Sequence, residues 1–131
     1  MDKEDKFYKS ARWQRIRKSV LARDLYTDQV RARYSPVVVD ARMVHHIFPR
    51  DLFPQWQWEK WNLISVSRET HEKLHNKTWR GTCLTHEGIE LARRTAAKNN
   101  IDFNAQYALI KAQVDDVERK TQFHHFKKKK Y

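Results

Sequence analysis

The sequence predicts an α+β domain in which a short β-hairpin is flanked by an N-terminal helix and by additional C-terminal helices. Three observations support this. Three segments carry apolar residues at the three- and four-residue spacing of an amphipathic helix. Residues 35–47 are instead rich in β-branched side chains and short. A proline-containing loop crowded with aromatic rings separates that stretch from the next helical pattern. With 131 residues and 40% hydrophobic content, the chain is sized for one modest core.

The elements follow in order. Over residues 8–24, Tyr8, Trp13, Ile16, Val20 and Leu21 supply the apolar positions, and from Trp13 on their spacing suits one helix face. Ser10 is a candidate cap, and Arg12, Arg15, Arg17, Lys18 and Arg23 fill much of the rest. Val37, Val38 and Val39, then Met43, Val44 and Ile47 after a polar break at Asp40, predict two paired strands. Residues 48–61 form a loop with Pro49 and Pro54. Its rings, Phe48, Phe53, Trp56, Trp58 and Trp61, are expected to pin it to the core, with stacking on nucleic-acid bases as the alternative. Residues 67–77 read as a helix capped by Ser67 with Glu69 in the first turn, and Gly81 closes that region. Thr85 caps a helix that runs to Asn99, with Ile89, Ala92 and Ala96 on one side. A last helix spans roughly residues 104–120, and Phe103, Tyr107, Ile110, Val114 and Val117 form a core-packing stripe rather than a dimer seam. The tail from Thr121 ends in Lys127–Lys130, a solvated run placed to touch phosphates.

The formal net charge is +11, which attracts polyanions. Nucleic acid is the first partner to consider, an acidic membrane surface the second, and a merely soluble basic protein the plain alternative. The lone cysteine, Cys83, excludes an internal disulfide and any Cys-x-x-Cys pair. The charged start, Met1 to Lys6, has no apolar stretch typical of a secretory signal, and no apolar run reaches membrane-spanning length, so a cytoplasmic protein is expected.

The chemistry-bearing residues are Val44-His45-His46-Ile47, Asn62, His71 and His75. Four residues apart on a helix, His71 and His75 project from one face and can clamp a single metal ion. His45 and His46 are adjacent on a predicted strand and point to opposite faces, so one can bind a metal while the other takes a different task. A His-x-x-x-His pair or a His-His pair is weak on its own, and His124-His125 in the tail has no supporting context. The ordered combination is much stronger. Arg42 and Arg50 flank the histidine pair as candidate phosphate contacts, with plain surface exposure as the alternative.

From about Phe7 to Leu91 the chain resembles the HNH endonucleases, the ββα-metal (His-Me finger) nucleases, especially the compact ones of phages and prophages. The resemblance is carried by Phe7-Tyr8-Lys9-Ser10 with Trp13, Arg17, Leu21, Arg23 and Asp24, and by Val44-His45-His46-Ile47 with Pro49. It continues through Trp61-Asn62-Leu63-Ile64-Ser65, His71 and His75, and Leu84-Thr85 with Gly88. The spacing from Asn62 to His71 and His75 also matches the colicin-type nuclease toxins. The resemblance implies a ββα-metal core. It implies that His45, His71 and His75 are metal ligands, that His46 is the general base activating water, and that Asn62 ties down the loop and orients the base. One divalent ion, Mg, Mn, Ni or Zn, is implied as cofactor.

One departure stands out. Many phage members hold a structural zinc with two Cys-x-x-Cys pairs, and Thr27, Val30, Ser67 and Thr70 stand at those positions here. Such a zinc contributes about 10–16 kcal/mol of apparent binding energy to folding. No structural zinc is expected, and an apolar plug of Val30, Val66 and Leu25 with nearby aromatics is the expected replacement. Residues 99–131 extend beyond the family pattern, giving an expected nuclease domain over 1–98 and a helical extension with a basic tail over 99–131, packed on the same domain.

The function that follows is metal-dependent hydrolysis of DNA phosphodiester bonds, by nicking or double-strand cleavage, in a phage- or prophage-encoded protein that acts on double-stranded DNA alongside terminase. The alternatives are a noncatalytic nucleic-acid-binding module on the same scaffold, and an interaction protein with a structural zinc at His45, His71 and His75. A base at His46 and an open coordination position mark the first.

Overall fold

The computed structural model describes the backbone of residues 3–78 and 81–130 and the side chains of residues 6–76 and 83–122. The chain divides into two compact units, Met1–Glu72 and Lys73–Tyr131.

In the first unit the N-terminal helix is two helices, α1 (Lys3–Lys9) and α2 (Ala11–Arg23). The break falls at Ser10, whose backbone is extended and whose hydroxyl accepts the Trp13 N–H at 3.1 Å. Tyr8 therefore belongs to α1 rather than to the longer helix. Trp13, Val20 and Leu21 are the buried face of α2. Trp13 and Val20 form a core with Phe7 and Leu63, against which Ile16, Val44 and Trp58 pack. A short helix, α3 (Gln29–Ala32), follows and is capped by the Asp28 side chain.

The hairpin differs from expectation. Strand β1 (Met43–His46) pairs antiparallel with β2 (Leu63–Val66), with Met43 opposite Val66 and His46 opposite Leu63. Val37–Val39 form no strand, and only an isolated bridge between Thr27 and Asp40 lies nearby. A strand partner must bury a face as well as complete a ladder. Leu63 and Val66 do so, whereas Val37 and Val38 are exposed.

Helix α4 (Arg68–Leu74) begins as expected, with the Ser67 hydroxyl accepting the Thr70 N–H at 3.2 Å. It ends at Leu74 because the chain then enters a second hairpin, β3 (His75–Thr78) with β4 (Gly81–Leu84). Gly81 thus opens a strand instead of closing a helix.

In the second unit, Thr85 caps α5 (His86–Lys98), accepting the Gly88 N–H at 3.2 Å and donating to the Lys73 carbonyl at 2.6 Å. Leu91, Ala92, Thr95 and Ala96 are buried, with Ile89 half-buried beside them. Gly88 is needed here, since any Cβ would collide with the Leu74 carbonyl. Asn99 closes α5, and Asn100 turns through a left-handed conformation (φ 55°) that asparagine tolerates. Helix α6 (Phe103–Lys130) buries Phe103 and Ile110 and half-buries Tyr107, Val114 and Val117, as the stripe predicts. It runs ten residues past the expected end at Lys120, since neither Gly nor Pro interrupts it. Contacts of Lys127–Lys130 with phosphate lie outside the described side chains. No described helix is long and apolar enough to cross a membrane.

The apolar plug expected in place of a zinc site is corrected to a polar staple. Val66 is buried, but Val30 is only half-buried and Leu25 is exposed. The buried Asp28 carboxylate instead accepts the Arg31 N–H (2.8 Å), the Ser67 N–H (2.9 Å) and the Ser67 hydroxyl (2.8 Å). Ser67 and Thr70, at two of the cysteine positions, are thereby held to the residue between Thr27 and Val30. Asp24 acts one step earlier, accepting the Ser65 N–H at 3.0 Å and two N–H groups of Arg23 at 2.8 and 2.9 Å. The Arg23 guanidinium also donates to the carbonyls of Lys60 (2.9 Å) and Leu63 (2.7 Å), tying the end of α2 to the start of β2.

Burial alone would raise both carboxylates. The bonds to Asp24 from Arg23 and Ser65, and those to Asp28 from Arg31, Thr70 and Ser67, outweigh it and hold each below the ordinary value. Their stabilisation is fully present above the unfolded carboxylate pKa of about 3.9 and is lost as pH falls through the lower folded values. Urea denaturation across pH is expected to show that loss below about pH 4. Asp28→Asn is expected to lose about 1–3 kcal/mol at pH 7 and to respond less steeply to acid. Equal stability of variant and wild type at pH 7 contradicts the staple.

Candidate metal centre

Strand alternation sets the site. Val44 and His46 share the face of β1 that packs toward the Phe7–Trp13–Val20 core, and His45 faces the other way. His45 is fully buried, with its ring centroid 5.4 Å from that of His71 on α4. His75 is the first residue after α4, so the expected His-x-x-x-His pair straddles the helix end rather than lying within it. The spacing still serves: the ligand nitrogens of His45, His71 and His75 all lie within 4.8 Å of one another. Two nitrogens at about 2.1 Å from one ion are at most about 4.2 Å apart, so a small inward shift suffices to hold one ion. The donor set is three imidazoles, which suit Zn, Ni, Co or Mn better than Mg.

His46 has different surroundings. Its ring stacks on Trp13 at 5.1 Å, with Phe7 at 5.7 Å and Tyr8 at 6.3 Å. Its Nε2 lies 3.0 Å from the Gln57 carbonyl. A carbonyl only accepts, so Nε2 carries the hydrogen and Nδ1 keeps the lone pair. Burial pushes the imidazole down to about 4; the Gln57 carbonyl acts in the opposite direction, and the Arg50 charge adds to the lowering. His46 is therefore neutral at pH 7.

Asn62 holds the aromatic loop. It is fully buried, its Oδ1 accepts the Phe48 N–H at 2.8 Å, and its Nδ2 donates to the carbonyls of Phe48 (3.2 Å) and Trp56 (3.3 Å). The rings pack on one another, Phe53 stacking on Trp56 at 5.3 Å with Phe48 edge-on to both. Asn62 makes no described bond to His46. It fixes Trp56, the neighbour of the residue whose carbonyl holds His46.

The two arginines separate. Arg50 lies over Phe7 at 4.1 Å and Tyr8 at 5.3 Å, next to His46. Arg42 is exposed, and its carbonyl accepts a bond from Arg17 at 2.6 Å. Two features escape sequence reasoning. The Gln57 contact uses a backbone carbonyl, which has no residue signature. The wall of Phe7, Tyr8 and Trp13 around His46 was visible as residues but not as neighbours of a histidine.

Two outcomes are expected. Saturating Ni²⁺ or Mn²⁺, at about 100 times Kd, should stabilise the protein by about 2.7 kcal/mol in thermal unfolding, and His71→Ala should abolish that shift. Asn62→Ala should cost about 2 kcal/mol or more and speed hydrogen exchange at the Phe48 amide. An unchanged Phe48 amide would remove Asn62 as the loop's anchor.

Neither a family model nor a curated protein matches the chain. Among solved structures it is similar to the HNH endonuclease of the deep-sea thermophilic bacteriophage GVE2, crystallised with a manganese ion. The two share 32% identity over 54% of this chain and 87% of that chain, with a TM-score of 0.48. The order β1, β2, α4, with a histidine triad grouped at its end, is the ββα-metal arrangement. With 32% identity across 87% of the phage endonuclease's chain, this protein belongs to the HNH endonuclease family.

Proposed function

We propose that the protein is a metal-dependent endonuclease that hydrolyses DNA phosphodiester bonds, with double-stranded DNA as substrate. His45, His71 and His75 are the metal ligands, His46 is the general base, and Asn62 is a positioning residue. The observation that carries this reading is the gathering of three imidazole donors within 4.8 Å, with a fourth, neutral imidazole next along the same strand.

A bound divalent ion, Mg, Mn, Ni or Zn, supplies positive charge to phosphate oxygens as negative charge builds on them. Three neutral ligands leave that charge undiminished. Among the described residues no fourth His, Cys, Asp or Glu joins the triad. That favours an open catalytic position over a closed structural zinc.

His46 Nδ1 accepts the proton of the attacking water while Nε2–H stays on the Gln57 carbonyl, which fixes the ring. The water oxygen bonds to phosphorus, the bond to the leaving sugar oxygen breaks, and that oxygen is protonated from solvent. Burial and Arg50 oppose protonation of His46 in the free protein. An arriving phosphate brings the opposite charge and raises the imidazole toward its working range. Arg50 and Arg42 take phosphate contacts beside the site. Residues 1–98 form the nuclease domain and 99–131 a helical extension. The bacteriophage source of the similar structure supports a phage or prophage origin, and terminase is the further partner proposed on that reading.

One observation favours the second reading, a noncatalytic nucleic-acid-binding module: His46 is only 7% exposed behind its aromatic wall. Plasmid cleavage with EDTA, Mg²⁺, Mn²⁺, Ni²⁺ and Zn²⁺ in parallel separates the two. Metal-dependent nicking or linearisation is expected, falling by about 10²–10⁴ in His46→Ala while metal binding persists. A gel shift of DNA with no cleavage in any metal would hand the function to the binding module.

A further inference from the structure

Among the described residues, seven large hydrophobic side chains are exposed, and five of them lie within residues 25–38. They are Leu25 (79%), Tyr26 (47%), Tyr34 (69%), Val37 (64%) and Val38 (73%). Monomeric proteins rarely concentrate apolar surface in this way without a use for it.

The segment is not loosely held. The Thr27–Asp40 bridge closes its base, the Asp28 N–H donates to the Val39 carbonyl at 2.7 Å, and the Ala41 N–H donates to the Tyr26 carbonyl at 2.8 Å. Inside it, the N–H groups of Tyr34 and Ser35 both donate to the Arg31 carbonyl at 3.0 Å, and the Ser35 hydroxyl accepts the Val37 N–H at 3.1 Å. Leu25 and Tyr26 both adopt left-handed backbone (φ 56° and 53°), a conformation costly for side chains of their size. The fold thus bears strain at a turn that leaves both side chains outside the core.

Charge identifies the occupant. Arg31, Arg33 and Arg42 lie in or beside the segment. Of the three acids in or beside it, Asp28 is consumed by the staple to Ser67 and Asp24 by Arg23 and Ser65, leaving Asp40. Arginines set among an exposed tyrosine and paired valines suit phosphates together with sugar and base edges in a groove.

We infer that residues 25–38 form a nucleic-acid contact surface, with Arg31 and Arg33 on backbone phosphates and Tyr34, Val37 and Val38 against the groove of the duplex. The inference rests on the nuclease reading and names where the substrate is gripped away from the metal ligands.

The test is fluorescence anisotropy of a labelled duplex of about 20 base pairs with the full chain in EDTA, over a salt series, so that binding is read without cleavage. Arg31→Ala/Arg33→Ala is expected to weaken binding and to reduce the salt slope by about 1.8, at about 0.9 per phosphate contact. Val37→Ser/Val38→Ser is expected to weaken binding about tenfold or more with the slope unchanged. Thermal unfolding of both variants checks that the fold is intact. Wild-type affinity in both variants, with plasmid still cut by the wild type, overturns the surface and leaves the nuclease reading standing. Weakened variants with no cleavage in any metal support the surface and overturn the nuclease reading. A wild type that fails to bind the duplex overturns the surface. So does self-association in light scattering that Val37→Ser/Val38→Ser abolishes without changing DNA affinity, which would assign the patch to a second copy of the chain.

Discussion

Two neighbouring residues on an extended strand cannot face the same way, and the candidate site depends on that constraint. His45 points to α4 and the other histidines, while His46 points to the aromatic core beside α2. A slip of one residue against β2 would exchange the two and leave neither in place. The register is therefore held from several sides. Arg23 grips the carbonyls at the start of β2, Asp24 holds Ser65 in its middle, and Asn62 locks the loop between the strands to Phe48. None of these residues belongs to the histidine triad, yet each restricts where the imidazoles sit.

Asp28 solves a related problem with different chemistry. Members with a zinc knot join the turn after α2 to the start of α4 through four thiolates. Here one buried carboxylate spans the same gap, accepting two backbone N–H groups and a hydroxyl. Buried charge is favourable only when fully bonded. This one is capped by Arg31 and Ser67, which is why its protonated form is disfavoured despite burial. Carboxylate and thiolate knots are two answers to one constraint, that a short loop whose apolar side chains stay outside the core must be fixed to the helix that carries His71.

Most of this was legible in the residues. The caps at Ser10, Ser67 and Thr85, the stop at Asn99-Asn100 and the stripe from Phe103 to Val117 each have a local cause that a linear reading detects. The grouping of His45 with His71 and His75 was implied by the resemblance to the HNH endonucleases, whereas order and spacing alone left open which of His45 and His46 joins the pair. The partner of β1 did not, because Val37–Val39 have better strand propensity than context: pairing is decided by what a face can bury, and Leu63–Val66 buries more. Similarly, α4 reads as longer than it is, since nothing in His75–Thr78 forbids a helix, and only the pairing with Gly81–Leu84 ends it. The replacement for the zinc is not legible at the substituted positions, since Val30 is only half-buried and Leu25 is exposed. The residue that matters, Asp28, stands between two of them.

Helix α1 has only seven residues, and two of them, Phe7 and Tyr8, wall in His46 with Arg50 laid over their rings. The environment of the proposed base is thus built partly from the first described turns of the polypeptide, whereas the histidine triad comes from later elements. Damage to α1 can therefore silence the proposed base while ion uptake stays intact, so an occupied metal centre is no proof of a working enzyme.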